Sequence, residues 1–103
     1  MQKVYCLYKL KPGVTAEKYI EWSKTVDQAI TRQQPCVHQF RVYRFEGRRG
    51  GEAPWDVIED IDVESWEAWE KCLTTPEMAD VVKGFREMAD RDSAVTVFGS
   101  EIV

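Results

Sequence analysis

Val4-Tyr5-Cys6-Leu7-Tyr8, followed by Lys9-Leu10-Lys11 and the breaker pair Pro12-Gly13, is the stretch on which the architecture of this chain turns. Its β-branched and aromatic residues favour a strand, and Pro12-Gly13 closes it with a turn. Side chains alternate across a strand, so Val4, Cys6 and Tyr8 project one way while Tyr5 and Leu7 project the other. Both faces are apolar, and a strand of that kind needs cover on both sides. A chain of 103 residues has room for one hydrophobic core, so residues 1–103 read as a single domain.

The remaining elements follow from period and punctuation. Thr15 is a good N-cap for a helix running to about Arg32, with Glu17 near its positive end, and Tyr19, Trp22, Ser23, Val26 and Ile30 fall on one stripe. Pro35 ends the connection, and Cys36 to Phe45 reads as a long second strand. After the flexible Gly47-Arg48-Arg49-Gly50-Gly51 loop, Trp55 to Ile61 reads as a third, so the two form a hairpin with an extended connection. Asp62 or Ser65 caps a short helix whose Trp66, Trp69 and Leu73 share a face. Thr75-Pro76-Glu77 restarts a helix, in which Met78, Val81, Val82, Phe85, Met88 and Ala89 keep a helical period. Ala94 to Phe98 is the last strand, with Ile102-Val103 as an apolar tail.

The order strand, helix, strand, strand, helix pair, strand predicts an α+β fold, a ferredoxin-like βαββαβ with an antiparallel four-stranded sheet. Its helices cover one sheet face only. In the last strand Val95 and Val97 oppose Phe98, so the uncovered face is apolar as well, beyond what soluble monomers usually expose. The expected solution is a homodimer, two sheets packed face to face about a two-fold axis into a dimeric α/β barrel.

Composition narrows the function. Hydrophobic residues make up 44% and charged residues 31%, a globular balance, and the net charge of -4 provides no basic footprint for nucleic acid. No stretch approaches the roughly 20 apolar residues of a membrane span, and no signal peptide precedes the first strand, so a cytoplasmic location is expected. Cys6, Cys36 and Cys72 are too scattered for a zinc clasp or a disulfide framework, and read as small buried apolar residues. The nucleotide, flavin, zinc-protease and nucleophile-elbow motifs are absent, so no cofactor and no metal is expected.

What remains is a set of polar groups among aromatics. His38, the single histidine, belongs to the one side-chain type whose unperturbed pKa lies near neutrality, which makes it the default proton carrier. Alternation puts it on a strand face with Phe40, Val42 and Arg44, while Gln39, Arg41 and Tyr43 share the other. Asp27 lies one turn after Ser23 on the flank of the buried stripe, where partial burial would raise its pKa. Glu59 sits in the third strand beside Asp60, and alternation turns one of the two inward without saying which. Four tryptophans (Trp22, Trp55, Trp66, Trp69) and four tyrosines (Tyr5, Tyr8, Tyr19, Tyr43) are hard to fit into so small a core without leaving a cleft. Such a cleft would take a flat ligand by stacking.

The opening Val4-Tyr5-Cys6-Leu7-Tyr8-Lys9-Leu10-Lys11-Pro12-Gly13-Val14-Thr15 and the following Glu17-Lys18-Tyr19-Ile20-Glu21-Trp22 resemble the RedY-like HapK family of small dimeric α/β-barrel proteins, found with genes for prodigiosin and bisindole pigments. The resemblance covers nearly the whole chain. It implies a cofactor-free homodimer of secondary metabolism acting on a small planar pyrrole or indole intermediate, through a cyclisation with loss of water in which nitrogen attacks a carbonyl carbon. On that reading Asp27 and His38 transfer protons, Tyr43 and Arg41 polarise a carbonyl, and Trp22, Trp66, Tyr19, Tyr5 and Glu59 meet the substrate. The broader EthD-like proteins of this fold place a histidine late in the first helix, where this chain has Asp27, so their mechanism does not carry over. Two other activities fit the same resemblance: a cofactor-free monooxygenase, and a non-catalytic carrier of a pigment intermediate.

Overall fold

The structure, a computed structural model, describes Met1–Val103. Strand β1 (Gln2–Leu10) leads through the Pro12-Gly13 turn into a helix capped by Thr15, whose Oγ1 accepts the Lys18 N–H at 3.1 Å. Gly13 has φ 89°, a left-handed conformation that glycine adopts without a steric penalty. The helix has three parts: α1 (Ala16–Trp22), a π-helical turn (Ser23–Asp27) and α2 (Gln28–Thr31). Then come β2 (Val37–Arg44), β3 (Val57–Val63), α3 (Trp66–Cys72), a 3-10 turn (Pro76–Met78), α4 (Ala79–Met88) and β4 (Ala89–Gly99).

The strands pair antiparallel in the order β2-β3-β1-β4, the α+β, ferredoxin-like layout expected from the sequence. Because β3 and β1 are central, alternation is sharpest there: Val57, Glu59, Ile61 and Val63 are buried under the helices, and the residues between them are half-buried. Residues opposite one another share a face. Val42 and Cys6 flank Glu59 on the covered side, whereas Arg41 pairs with Asp60, Tyr43 with Ile58, Val95 with Leu7 and Val97 with Tyr5 on the open side.

Among the differences from the sequence expectation, two are boundaries and one is a strand register. β3 extends to Val63, so Asp62 lies inside the strand and Ser65 alone caps α3, its Oγ accepting the Ala68 N–H at 3.1 Å. β4 begins at Ala89, which the helical period assigns to α4; pairing of Ala89 with Leu10 and Asp90 with Lys9 outweighs the weak strand propensity of Asp90-Arg91-Asp92. His38 is the extra residue of a bulge between Val37 and Gln39, which removes it from the face of Phe40 and Val42.

Two apolar clusters hold the layers together, one around Val4, Phe40, Ile61, Trp69 and Met78, the other around Tyr8, Tyr19, Val57 and Met88. Helix–helix contact depends on Gly84 of α4: a Cβ there would overlap the indole of Trp22. No helix is long and apolar enough to cross a membrane.

Candidate functional site

The site begins with a polar row inside an otherwise amphipathic helix. Ser23, Asp27 and Thr31 recur every fourth residue and are 3%, 2% and 1% exposed. The π-helical turn Ser23–Asp27 inserts at this row, widening the helix where its side chains turn to the sheet. From the sheet, Glu59 of β3 and Tyr8 of β1 meet them, 7% and 0% exposed.

Two hydrogen-bonded segments meet here, one through Tyr19, Tyr8 and Glu59 and one through Thr31 and Asp27. The Tyr8 hydroxyl donates to Glu59 Oε2 at 2.6 Å, which leaves the Tyr19 hydroxyl, 2.5 Å from it, to donate to Tyr8. Thr31 Oγ1 donates to Asp27 Oδ1 at a long 3.5 Å. Asp27 Oδ2 is buried with no donor near it. A buried carboxylate oxygen without a donor costs several kcal/mol, and two adjoining carboxylates cannot both ionise in so dry a place. Above the Glu59 titration a single proton on Asp27 resolves both problems, with Glu59 as the acceptor beside it.

The titration behaviour has the same causes. Burial, then the charge of Glu59, holds the Asp27 carboxyl well above the ordinary 3.8. Burial pushes Glu59 from 4.5 up to about 7, against the hydrogen bonds from Tyr8 and Asp27 that favour its ionised form. Burial and the same Glu59 charge push both phenols, Tyr8 and Tyr19, above their usual range. Cys6 is raised to about 12, chiefly by burial, and is a packed thiol rather than a nucleophile.

Asp27, Glu59 and Thr31 form one wall of a cavity of about 690 Å³ between the covered sheet face and α3 and α4. The remaining lining is mainly apolar, Val4, Phe40, Ile61, Trp66, Trp69 and Phe85 among it, with the charged Lys11, Glu70, Arg86 and Arg91 also on it. Trp66 is braced by Phe98, the two rings stacked 4.3 Å apart at 8°. A volume of this size holds a molecule of a few fused or linked rings.

The structure thus brings Asp27, Glu59, Tyr19 and Trp66 to one place, and separates them from the other candidates. His38 is exposed at the bulge, its Nε2 2.8 Å from Glu64 Oε2. Arg41, Tyr43 and Tyr5 lie on the open sheet face; Arg41 Nη2 is 3.8 Å from Asp60, and Tyr43 is 51% exposed. The sheet stands between Asp27 and the side chains of Arg41, Tyr43 and Tyr5, and neither they nor His38 line the cavity that Asp27 lines. Trp22 packs on Tyr19 and Gly84, outside the cavity lining. Tyr8 and Trp69, which the sequence offers only among eight aromatic rings, join the site, as does Thr31, which it does not single out. The four-residue spacing of Ser23, Asp27 and Thr31 was the available signal for Thr31, whereas Tyr8 becomes polar machinery only through partners from two other elements. No group of three His, Cys, Asp or Glu residues is placed to hold a metal ion.

A ferredoxin-like α+β domain that buries a carboxyl pair on the wall of an aromatic-lined cavity, with two phenols hydrogen-bonded in series to that pair, is the class that fold and site define. Within that class, the chain belongs to the REDY-like protein HapK family, whose model matches residues 2–102. Among solved structures it is similar to HapK from Hahella chejuensis, 24% identical with TM-score 0.81, covering 99% of this chain and 93% of that one. It is also similar to an EthD family protein from Bacillus halodurans, 20% identical with TM-score 0.78 and 99% of each chain covered. An antibiotic biosynthesis monooxygenase shares the fold at 15% identity and TM-score 0.68, with 100% of each chain covered. No curated protein matches the sequence.

Proposed function

We propose that this protein holds a planar pyrrole or indole intermediate of secondary metabolism in the cavity and promotes its cyclisation with loss of water, with no cofactor. The observation that carries the reading is the partnerless, buried Asp27 Oδ2 beside Glu59 on the cavity wall. Closure of an amine onto a ketone is a redistribution of protons. As nitrogen attacks the carbonyl carbon, Asp27 gives its proton to the oxygen and Glu59 takes one from the nitrogen. A second such exchange breaks the carbon–oxygen bond: the oxygen leaves as water, the imine forms, and the pair again holds one proton. Nothing is oxidised or reduced. Holding the ends in contact contributes several kcal/mol, and a placed acid roughly 10²- to 10⁴-fold.

The working unit we propose is a homodimer through the open sheet face, where Tyr43, Val95 and Val97 are 51%, 41% and 48% exposed. Fold neighbours from Bacteroides fragilis and Thermobifida fusca are described as dimeric. In that arrangement Tyr5, Arg41 and Tyr43 serve the interface. A stable single subunit in sedimentation at micromolar concentration would refute this assembly.

For the chemistry, the test is closure of an indolyl amino-ketone to its cyclic imine, followed by loss of free amine. Wild type should accelerate closure, and Asp27→Asn should lose at least about 10²-fold in kcat with binding retained. Equal rates in both would refute the reading. Oxygen uptake during turnover would replace it with a monooxygenase, and tight binding without acceleration with a carrier.

A further inference from the structure

The mouth of the cavity carries three cations from three separate segments: Lys11 after β1, Arg86 in the last turn of α4, and Arg91 in β4. Their convergence follows from the ladder. Leu10 lies opposite Ala89, Lys9 opposite Asp90, and the Lys11 N–H donates to the Met88 carbonyl at 2.8 Å, so the ends of β1 and α4 and the start of β4 meet at one corner. All three side chains belong to exposed residues, and none forms an ion pair, whereas Lys3 and Arg41 do.

Ordinary structural duties do not account for the group. A cation in the last turn of a helix complements the helix dipole, which explains Arg86 but neither Lys11 nor Arg91. Lys11 and Arg86 also line the adjoining depression with Lys83 and Glu87, three cations to one carboxylate, in a chain whose net charge is -4. Glu70 is the one exposed carboxylate on the cavity lining and leaves the cations in excess. Inside, the lining turns apolar and then acidic. Lys11 is five residues beyond Cys6, the partner of Glu59, a distance of about 16 Å along the strand. A ligand spanning that distance meets cations at one end and the Asp27–Glu59 proton at the other.

We propose that the substrate is a planar aromatic carboxylate, its rings against Trp66 and Trp69 and its carboxylate held by Lys11, Arg86 and Arg91. This rests on the reading of the cavity as the substrate site. A guanidinium matches a carboxylate with two parallel hydrogen bonds, and anchoring the anion at the mouth keeps its charge away from Glu59.

The test compares indole-2-carboxylate with indole-2-carboxamide, which has the same shape without the charge, by quenching of tryptophan fluorescence at low salt. Wild type should bind the acid about tenfold more tightly than the amide, the effect of a charge-assisted pair. The Arg86→Gln/Arg91→Gln double variant should lose that preference and keep its affinity for the amide; both positions are exposed, so folding is not at stake. Equal binding of acid and amide by wild type, or a preference that survives in the double variant, overturns the anionic anchor and leaves the cavity reading standing. If neither compound quenches at millimolar concentration, both fall.

Discussion

Replacing Glu59 by Gln should make the protein more stable at alkaline pH and less dependent on pH. Burial raises the Glu59 carboxyl from 4.5 to about 7, so between those values the folded state holds a proton that the unfolded chain releases. When the native state binds more protons, stability falls as pH rises. The contribution is fully present below pH 4.5 and is lost as pH passes through 7. At 1.36 kcal/mol per pH unit, the loss over that window is about 3 kcal/mol. Asp27, raised for the same reason, contributes in the same direction. The amide that Glu59→Gln introduces cannot ionise, its carbonyl oxygen still accepts from Tyr8, and its N–H is a donor for the orphaned Asp27 Oδ2. Urea unfolding of wild type and Glu59→Gln at half-unit steps from pH 4.5 to 8 measures the difference, in which surface groups such as the His38–Glu64 pair cancel. The variant should gain on wild type by about 3 kcal/mol across the series, a Tm rise of more than 10 °C at the alkaline end by the usual conversion of about 4–8 °C per kcal/mol for a domain of this size. Parallel curves would show that Glu59 is ionised like a surface acid and refute the reasoning.

Three further substitutions probe the same construction. Tyr8→Phe leaves Glu59 Oε2 and the Tyr19 hydroxyl without their shared partner, and should cost about 1–3 kcal/mol in chemical unfolding while raising the Glu59 pKa further. Gly84→Ala drives a methyl group into the Trp22 indole and should destabilise by about 1–3 kcal/mol despite the better helix propensity of alanine, with a shift in tryptophan emission. His38→Ala removes an exposed contact with Glu64 outside the cavity lining, and should leave both turnover and its pH profile unchanged within experimental error.

Much of the fold was legible because period and punctuation agreed. The Thr15 and Ser65 caps, the Pro12-Gly13 turn and the two-sided grease of residues 4–8 each have a local cause that sequence carries. Boundaries failed where a tertiary pairing overruled local preference, as at Ala89, where the helix runs into strand without a breaker residue. The site was half legible for a similar reason. Asp27 could be placed on the flank of a buried stripe, but the π-helical turn that swings it inward leaves no mark in a helical period. Alternation limited the inward acid to Glu59 or Asp60, and only the register with Cys6 and Val42 decides for Glu59. His38 looked suited to proton transfer by its chemistry alone, and a one-residue bulge removed it from the covered face. Tyr8 reads as another apolar ring until Glu59 and Tyr19, from other elements, meet its hydroxyl.

Site-resolved carbon NMR of the Asp and Glu side-chain carboxyls, assigned with Asp27→Asn and Glu59→Gln, bears on the shared proton without any substrate. At pH 8, above the Glu59 titration near 7, the shared proton requires Asp27 to give the signal of a protonated carboxyl and Glu59 that of a carboxylate, each moving when the other is replaced. Two independent, fully ionised carboxylates at that pH would contradict it.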